Sequence, residues 1–366
     1  MDTGFFDAGG TSIGATRAAM TIARRWAVDL PLQAFLAAPT ARELAGVVRA
    51  HGARRPAFDP VVTLREGGRG TPLFLVHPIG GNVLCYRELA ALLPGDRPVH
   101  GLQAAGADPG TEPLTSVPAL ADAYTRAIRR VHPHGPFHVA GWSFGGYVAL
   151  EIAEALGAAQ VPTATLLDTV ALDTAALDTA APGERARPPV PERQLIGFFF
   201  RELLWYSSGG ADLADEPDPT GDAEPLLDAE RLFDEGLARC VALGILPEDG
   251  SPQLLRRLYE VFRANYRAVL DHRPRRVRRP VRLLRAAEEL PANLAIAHRA
   301  VGGLLADRGN GWRAADGHPV EVVEVPGNHL SMMTAPHVRT VARVLGDGLD
   351  RADDPRRADS GVEVAR

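Results

Sequence analysis

The chain has 366 residues, 46% of them apolar and 23% charged, enough for a large core and unlike a mostly disordered protein. At about 150 residues per domain the length predicts roughly two domains. The formal net charge of −5 excludes a nucleic-acid binder with a broad basic face. No apolar run approaches the ~18 residues of a membrane span, and Met1 to Asp7 carry no signal-peptide pattern, so the chain reads as cytoplasmic, with no nucleic-acid or membrane partner.

All 40 basic residues are arginine. The lack of lysine excludes a Schiff base or a Walker A loop; with the Ala, Gly and Pro richness it points to a GC-rich bacterial genome. Cys85 and Cys240 are too few for a disulfide framework or a Cys-based metal site. They read as small core hydrophobes, and no metal is expected.

Along the chain, residues 1–50 predict a small helical unit. Gly9-Gly10 breaks the chain, and Thr11 or Ser12 caps a helix whose apolar positions run from Ile13 through Ala19 and Met20 to Trp26. Leu32, Phe35 and Leu36 suggest a short helix. Thr40 and Glu43 form a capping-box pattern before the next. Residues 51–59 read as a linker. From about residue 60 short apolar strands alternate with helices. Strands are expected at Val61–Leu64, Leu73–Val76, Pro98–Gln103, Phe137–Gly141, Thr163–Leu167, Val281–Leu284 and Val320–Val325. Helices are expected at 83–93, 118–131, 144–157 and 334–348. Such alternation predicts a mostly parallel sheet covered on both faces. Residues 180–275 interrupt it with helical patterns at 192–206, 226–243 and 252–270, and read as a lid. The five-residue repeat over Ala171–Ala180 is too short for a repeat architecture. The charged tail over 350–366 reads as disordered.

Gly141-Trp142-Ser143-Phe144-Gly145-Gly146 is a G-x-S-x-G pattern between a strand and a helix, the context of a nucleophile elbow. The bland alternative is a Gly-rich turn with an exposed serine. A serine hydroxyl needs a general base, and in such a fold the order is nucleophile, acid, histidine. Among 11 histidines, His329 follows the last strand and precedes the final helix, where the base is delivered. Asp168, ending the strand after the nucleophile's helix, is the first choice of acid; Glu288 and Glu289 are the alternatives, and Asp173 and Asp178 are decoys. The acid would fix the histidine tautomer and stabilise the imidazolium. An oxyanion hole needs two backbone N–H groups. Phe144 supplies one. Of the loop His77-Pro78-Ile79-Gly80-Gly81, Pro78 has no N–H, so Ile79 is the expected second donor, with Gly80 and Gly81 allowing close approach. His77 is read as shaping this loop.

At about residues 70–348 the chain resembles the type I thioesterase that ends nonribosomal peptide synthetases and some hybrid polyketide synthases. The resemblance rests on Val76-His77-Pro78-Ile79-Gly80-Gly81, the Ser143 elbow, Leu166-Leu167-Asp168, Gly311-Trp312 and Gly327-Asn328-His329. It implies an α/β-hydrolase fold with a helical lid insertion over residues 60–349, and favours Asp168 as the acid. The first 50 residues resemble the C-terminal portion of a peptidyl carrier domain through Phe5-Phe6-Asp7-Ala8-Gly9-Gly10-Thr11-Ser12-Ile13 and Ala38-Pro39-Thr40-Ala41-Arg42-Glu43-Leu44. By that resemblance Ser12 carries 4′-phosphopantetheine; the alternative is Ser12 as a helix cap alone. A full carrier has a further helix ahead of this motif, so the segment reads as a partial, small all-α carrier, loosely folded by itself.

The resulting expectation is chain release. An acyl or peptidyl group passes from a phosphopantetheine thioester to Ser143 and leaves by hydrolysis or macrocyclisation. The expected partners are a carrier domain and upstream synthetase modules. The alternatives are a stand-alone editing thioesterase, another serine ester hydrolase, or a non-catalytic carrier or docking module. The apolar crowding at Leu195, Ile196, Phe198, Phe199, Leu203, Leu204 and Trp205 predicts that some lid side chains, Phe199 or Trp205 among them, face the active-site cavity; a helix buried on several sides is the plain alternative.

Overall fold

The computed structural model describes residues 2–50, 58–171, 190–207, 228–272, 280–290, 309–312 and 320–354. The five-residue repeat, Asp173 and Asp178 lie outside these residues.

The N-terminal segment has helices α1 (Ser12–Trp26), α2 (Ala34–Ala37) and α3 (Ala41–Ala50). Thr11, not Ser12, caps α1: its Oγ1 accepts from Gly14 N at 3.1 Å. The capping box is formed at α3, where Thr40 N donates to Glu43 Oε2 (3.0 Å) and Glu43 N donates to Thr40 Oγ1 (3.2 Å). Trp26 departs from the apolar pattern and stands 59% exposed.

Among the described residues a seven-stranded sheet follows: β1 (Val61–Arg65), β2 (Leu73–Val76), β3 (Val99–Leu102), β4 (His138–Trp142), β5 (Ala164–Leu167), β6 (Val281–Ala286) and β7 (Val320–Val325). The strand order is β1-β3-β2-β4-β5-β6-β7, with β1 antiparallel to β3 and the other pairs parallel. Leu73 to Val76 are all buried, as expected of a parallel strand covered on both faces. The chain leaves β2 toward β3 on one side and returns to β4 on the other. Ligand crevices in open α/β sheets form at such a reversal, at the carboxyl ends of the strands.

Helices α4 (Arg87–Leu92), α5 (Val117–Val131), α6 (Phe144–Leu156) and α10 (Val338–Asp353) belong to this layer. The helix expected at 83–93 begins as a 3₁₀ turn, Leu84–Tyr86, and a second such turn, Ser331–Met333, lies just before the helix expected at 334–348. Pro336 disfavours helical backbone at Ala335, which delays α10 to Val338. At its other end α10 continues to Asp353, so residues 350–353 are not the disordered tail that their charge suggests. Arg97, buried beneath the sheet, pairs with Asp350 and with Asp353 (3.1 Å), and His138 Nε2 lies 2.9 Å from Asp353. These buried partners order the end of the helix.

Between β5 and β6 lie the lid helices α7 (Glu192–Ser207), α8 (Ala229–Ala242) and α9 (Gln253–Asp271). Their core is aromatic. Phe199 meets Phe200, Phe233, Tyr259 and Phe262 at ring separations of 5.4–6.4 Å. Phe199 is therefore lid core, the plain alternative for this helix and not the cavity-facing side chain expected, because α8, α9 and α1 surround α7. Trp205 instead joins the cluster of Trp142 and Leu330 near the strand ends.

The N-terminal segment does not stand by itself, loosely folded, as its size suggests. Ala15, Ala19, Met20, Leu32 and Phe35 are buried in one cluster with Leu195, Leu254, Leu255 and Leu258 of the lid. Arg257 of α9 donates to both carboxylate oxygens of Asp29 (2.9 and 3.1 Å) and to Ala107 O (3.3 Å). The Arg87 guanidinium lies 4.8 Å over the Phe6 ring. The lid thus supplies the apolar surface that 50 residues lack.

Candidate active site

The loop between β4 and α6 turns so sharply that only glycine fits around Ser143. A Cβ at Gly141 would fall 2.1 Å from the Gly145 backbone, one at Gly145 would fall 2.4 Å from Val76 O, and one at Gly146 would fall 2.0 Å from Thr169 Oγ1. Ser143 itself has φ +55° and ψ −120°, a left-handed conformation costly for a non-glycine residue and common at functional sites. Its backbone is pinned on both sides. Ser143 N donates to Leu167 O (2.9 Å), and Ser143 O accepts from Thr169 Oγ1 (2.9 Å) and Gly146 N (3.1 Å). The side chain is partly accessible and sits at the N-terminus of α6, where the helix dipole favours negative charge.

Asp168 and His329 converge on the same edge. Asp168 Oδ2 lies 2.9 Å from His329 Nδ1. Asp168 Oδ1 accepts from Ala286 N (2.9 Å) and Asn310 Nδ2 (3.0 Å). Burial alone raises this carboxyl, but the bonds and charge from His329, with Ala286 and Asn310, hold it below the usual aspartate value. An ionised carboxylate only accepts, so Nδ1 must be the donor and Nε2 is the unprotonated, basic nitrogen. The imidazole is fixed further by Trp142: its Nε1 donates to His329 O (3.0 Å), and the rings stand 5.6 Å apart. Glu288 and Glu289 are exposed after β6.

The loop after β2 is stapled from several directions. Gly81 has φ +80°, donates to Pro78 O (2.9 Å), and would press a Cβ against Val261 at 2.3 Å. Gly80, expected to be needed for close approach, faces open space, and a Cβ there meets nothing within 4 Å. Ile79 O accepts from Asn265 Nδ2 of α9 (2.9 Å), which ties the lid to this loop. The N–H groups of Ile79 and Phe144 have no acceptor among the described residues, as oxyanion donors require. His77 is fully buried, with Nδ1 2.7 Å from Pro78 O and Nε2 2.7 Å from Tyr124 Oη. Burial holds its pKa down to about 4. It is a neutral brace, with Nδ1–H donating to Pro78 O and Tyr124 donating to Nε2. Cys85 and Cys240 are free thiols held protonated by burial, Cys240 pushed up to about 12.

The sequence reading gave no role to several supporting residues. Tyr86 Oη donates to Val76 O (2.6 Å) and accepts from Trp142 N (2.9 Å), joining the two strand ends that flank the crevice. Arg285 Nε donates to Asn310 Oδ1 (3.2 Å) and so turns the Asn310 amide toward Asp168. Trp312 Nε1 donates to Thr169 O (2.8 Å). No local spacing announces these contacts; Gly311-Trp312 next to Asn310 was the one signal available.

Away from this edge, Ser12 opens α1 with a partly accessible side chain. The cap is supplied by Thr11, so the Ser12 hydroxyl is not needed there. A Cβ at Gly10 would strike Phe5 at 2.4 Å, and this tight turn presents Ser12 at a helix N-terminus. That setting fits a phosphodiester. Among the described residues no His, Cys, Asp and Glu group could hold a metal ion, and no helix is long and apolar enough to cross a membrane.

Comparison with known proteins accords with this geometry. Residues 71–348 match the family model described as a thioesterase domain, and residues 1–48 match that of a phosphopantetheine attachment site. The chain is 46% identical over 144 residues to nonribosomal peptide synthetase btyA of Aspergillus terreus, covering 38% of this chain and 15% of that protein. It is 35% identical over 158 residues to atromentin synthetase invA1 of Paxillus involutus, covering 42% and 16%. The chain thus spans less than a fifth of these relatives. Both are fungal and lend no support to the bacterial source read from composition. The fold resembles that of holo-AB3403, a four-domain nonribosomal peptide synthetase bound to AMP and glycine, at TM-score 0.66 and 24% identity over 95% of this chain and 24% of that one. With a family match over most of its length, and a carrier-type attachment segment ahead of it, the chain belongs to the thioesterase-domain family.

Proposed function

We propose that this protein releases a finished acyl or peptidyl chain from a synthetase, with Ser143 as nucleophile, His329 as base and Asp168 as its orienting acid. The observation that carries the reading is the 2.9 Å Asp168–His329 bond beside a serine in a strained, glycine-walled elbow. Residues 1–50 act as a partial carrier, 51–59 as a linker, and 60 to about 350 as the thioesterase. Ser12 would hold 4′-phosphopantetheine through a phosphodiester; when bound, that arm supplies a thiol to which an acyl chain is esterified.

The chemistry of this chain's own residues follows. His329 Nε2 takes the proton of Ser143 as Oγ attacks the thioester carbonyl. The N–H groups of Phe144 and Ile79 hold the oxyanion. His329 then protonates the departing thiolate, leaving an acyl-serine. A second nucleophile, water or a group within the chain, gives its proton to His329 as it attacks the ester carbonyl; His329 returns that proton to Ser143 Oγ as the ester bond breaks, restoring both residues. Because the same residues serve both outcomes, hydrolysis and cyclisation differ only in what the lid admits.

The test combines a fluorophosphonate probe with a panel of peptidyl thioesters whose products are read by mass spectrometry. Ser143 is expected to be the labelled residue, and Ser143→Ala to lose on the order of 10⁴-fold or more in turnover. Full labelling or full turnover by that variant would overturn the assignment.

A further inference from the structure

The loop that offers the Ile79 N–H is braced from within and from without. In a planar trans peptide the N–H points opposite to the preceding C=O, so the direction of the Ile79 N–H follows from where Pro78 O is tied. Pro78 O accepts from Gly81 N (2.9 Å) and from His77 Nδ1 (2.7 Å). Both donors belong to the loop itself. The outer braces hold the neighbouring carbonyls. Ile79 O accepts from Asn265 Nδ2 (2.9 Å), and Gly81 O accepts from Ala104 N (2.9 Å). Asn265 lies on α9, and Ala104 lies in the loop after β3.

The N-terminal segment grips both of these elements. Asp29 receives two bonds from Arg257 of α9. Gln33 Nε2 donates to Asp108 Oδ2 (3.1 Å) in the loop after β3. Arg257 ties the two elements together through its bond to Ala107 O. Arg257, Val261 and Asn265 stand four residues apart, so they share one face of α9 over about 12 Å. Val261 fills the middle of that face: a Cβ at Gly81 would meet it at 2.3 Å, and one at Gly106 at 2.9 Å. Val261 is fully buried and Asn265 is 1% exposed. A packed helical face thus runs from Asp29 to Ile79 O.

Building on the thioesterase reading, we propose that the seated N-terminal segment sets the oxyanion hole: it fixes α9 and the loop after β3, these fix Ile79 and Gly81, and acyl transfer runs at full rate only while the segment is docked. Asn265 is the positioning residue on this route. Oxyanion donors stabilise developing charge because they are aimed before it appears. A peptide plane free to rock about Ile79 loses that advantage. Docking therefore couples the presence of a carrier-type segment to catalytic competence, beyond any delivery by its arm.

The test uses the full chain and the best substrate of the peptidyl panel, offered as a free N-acetylcysteamine thioester, so that delivery by an arm plays no part. Rates are expressed per Ser143 labelled by the fluorophosphonate at completion, which leaves unfolded molecules out of the count. Asp29→Arg sets two guanidiniums face to face and is expected to lower kcat by about fivefold or more; Asn265→Leu keeps the volume, removes the donor and is expected to cost about tenfold to a hundredfold, short of the loss of a whole oxyanion donor. KM is expected to stay within about twofold. The pH profile of kcat is expected to hold, since neither Asp168 nor His329 is touched. The double variant is expected to match Asn265→Leu, because both changes act on the same peptide. A wild-type kcat in Asp29→Arg, or a loss confined to KM, overturns the proposal, as do losses that multiply in the double variant. If Asn265→Leu yields no labelled Ser143, the rate of Asp29→Arg decides alone. Wild-type turnover that Asp29→Arg leaves unchanged defeats this proposal only. Turnover of none of the panel by the wild type defeats the thioesterase reading, and this proposal with it.

Discussion

Replacing Asp168 by Asn tests how the acid acts, because the surrounding donors dictate which way the new amide must face. Oδ1 accepts from Ala286 N and Asn310 Nδ2, and Oδ2 faces His329 Nδ1. If the Asn oxygen takes the Oδ1 position, both donors stay satisfied and the NH₂ faces His329. If it takes the other, the NH₂ meets two N–H donors, at about 1–3 kcal/mol for each bond lost. Asn310 cannot relieve this by rotating, since Arg285 Nε holds its oxygen at 3.2 Å. The first orientation therefore wins by about 2–6 kcal/mol. It makes Nδ1 an acceptor and places the proton on Nε2, which can no longer take one from Ser143. The expected loss is on the order of 10⁴-fold in kcat/KM, or about 5.5 kcal/mol. The assay is thioester turnover beside thermal unfolding, whose midpoint is expected to move little. Adding Asn310→Ala removes one of the two opposing donors and is expected to restore part of the activity. An Asp168→Asn protein that folds and retains activity within about tenfold of wild type would refute the tautomer argument.

Three further outcomes follow from particular contacts. Gly141→Ala drives a Cβ to 2.1 Å from the Gly145 backbone, where no rotamer gives relief. It is expected to abolish soluble protein or Ser143 labelling, whereas Gly80→Ala, with open space around it, is expected to shift stability by less than about 0.5 kcal/mol in denaturant titration. Arg257→Ala breaks the bidentate contact with Asp29 and costs about 1–3 kcal/mol at that interface. Faster hydrogen exchange over Ala15–Met20, with Ser143 labelling retained, is the expected result. Burial raises the Glu202 carboxyl from 4.5 to about 7, so the folded state keeps a proton that the unfolded state loses. Stability is then greatest below about pH 4.5 and falls as pH rises through about 7. Glu202→Gln removes that loss, and its unfolding midpoint is expected to gain on wild type across this window. The ceiling is about 3 kcal/mol, cut to ~1–2 by the partial exposure of the side chain.

Much of this architecture was legible in the residues alone, because the decisive signals are short-range. The apolar run Leu73–Val76 marks a buried parallel strand. Thr40 and Glu43 announce their cap three positions apart. The glycines around Ser143 announce a turn too tight for any Cβ. Each of these rests on neighbours within a few positions, where backbone geometry alone limits what is possible. The supports of the site do not. Asn310 reaches Asp168 across 142 positions and Asn265 reaches Ile79 across 186; only the packing of the sheet ends against the lid makes them partners. The same holds for the errors. The charge after Asp350 looked like a solvated tail, but Arg97 and His138, more than 200 positions earlier, lie buried beneath it. Phe199 looked free to face a ligand until α8, α9 and α1 closed around α7. The sequence by itself determined the strand–turn–helix that exposes Ser143 and the order in which Asp168 and His329 follow it. Tertiary structure decided which donors hold Asp168 charged and how far burial raises the Glu202 carboxyl. Those outcomes depend on desolvation and on contacts between distant segments, which no local pattern encodes.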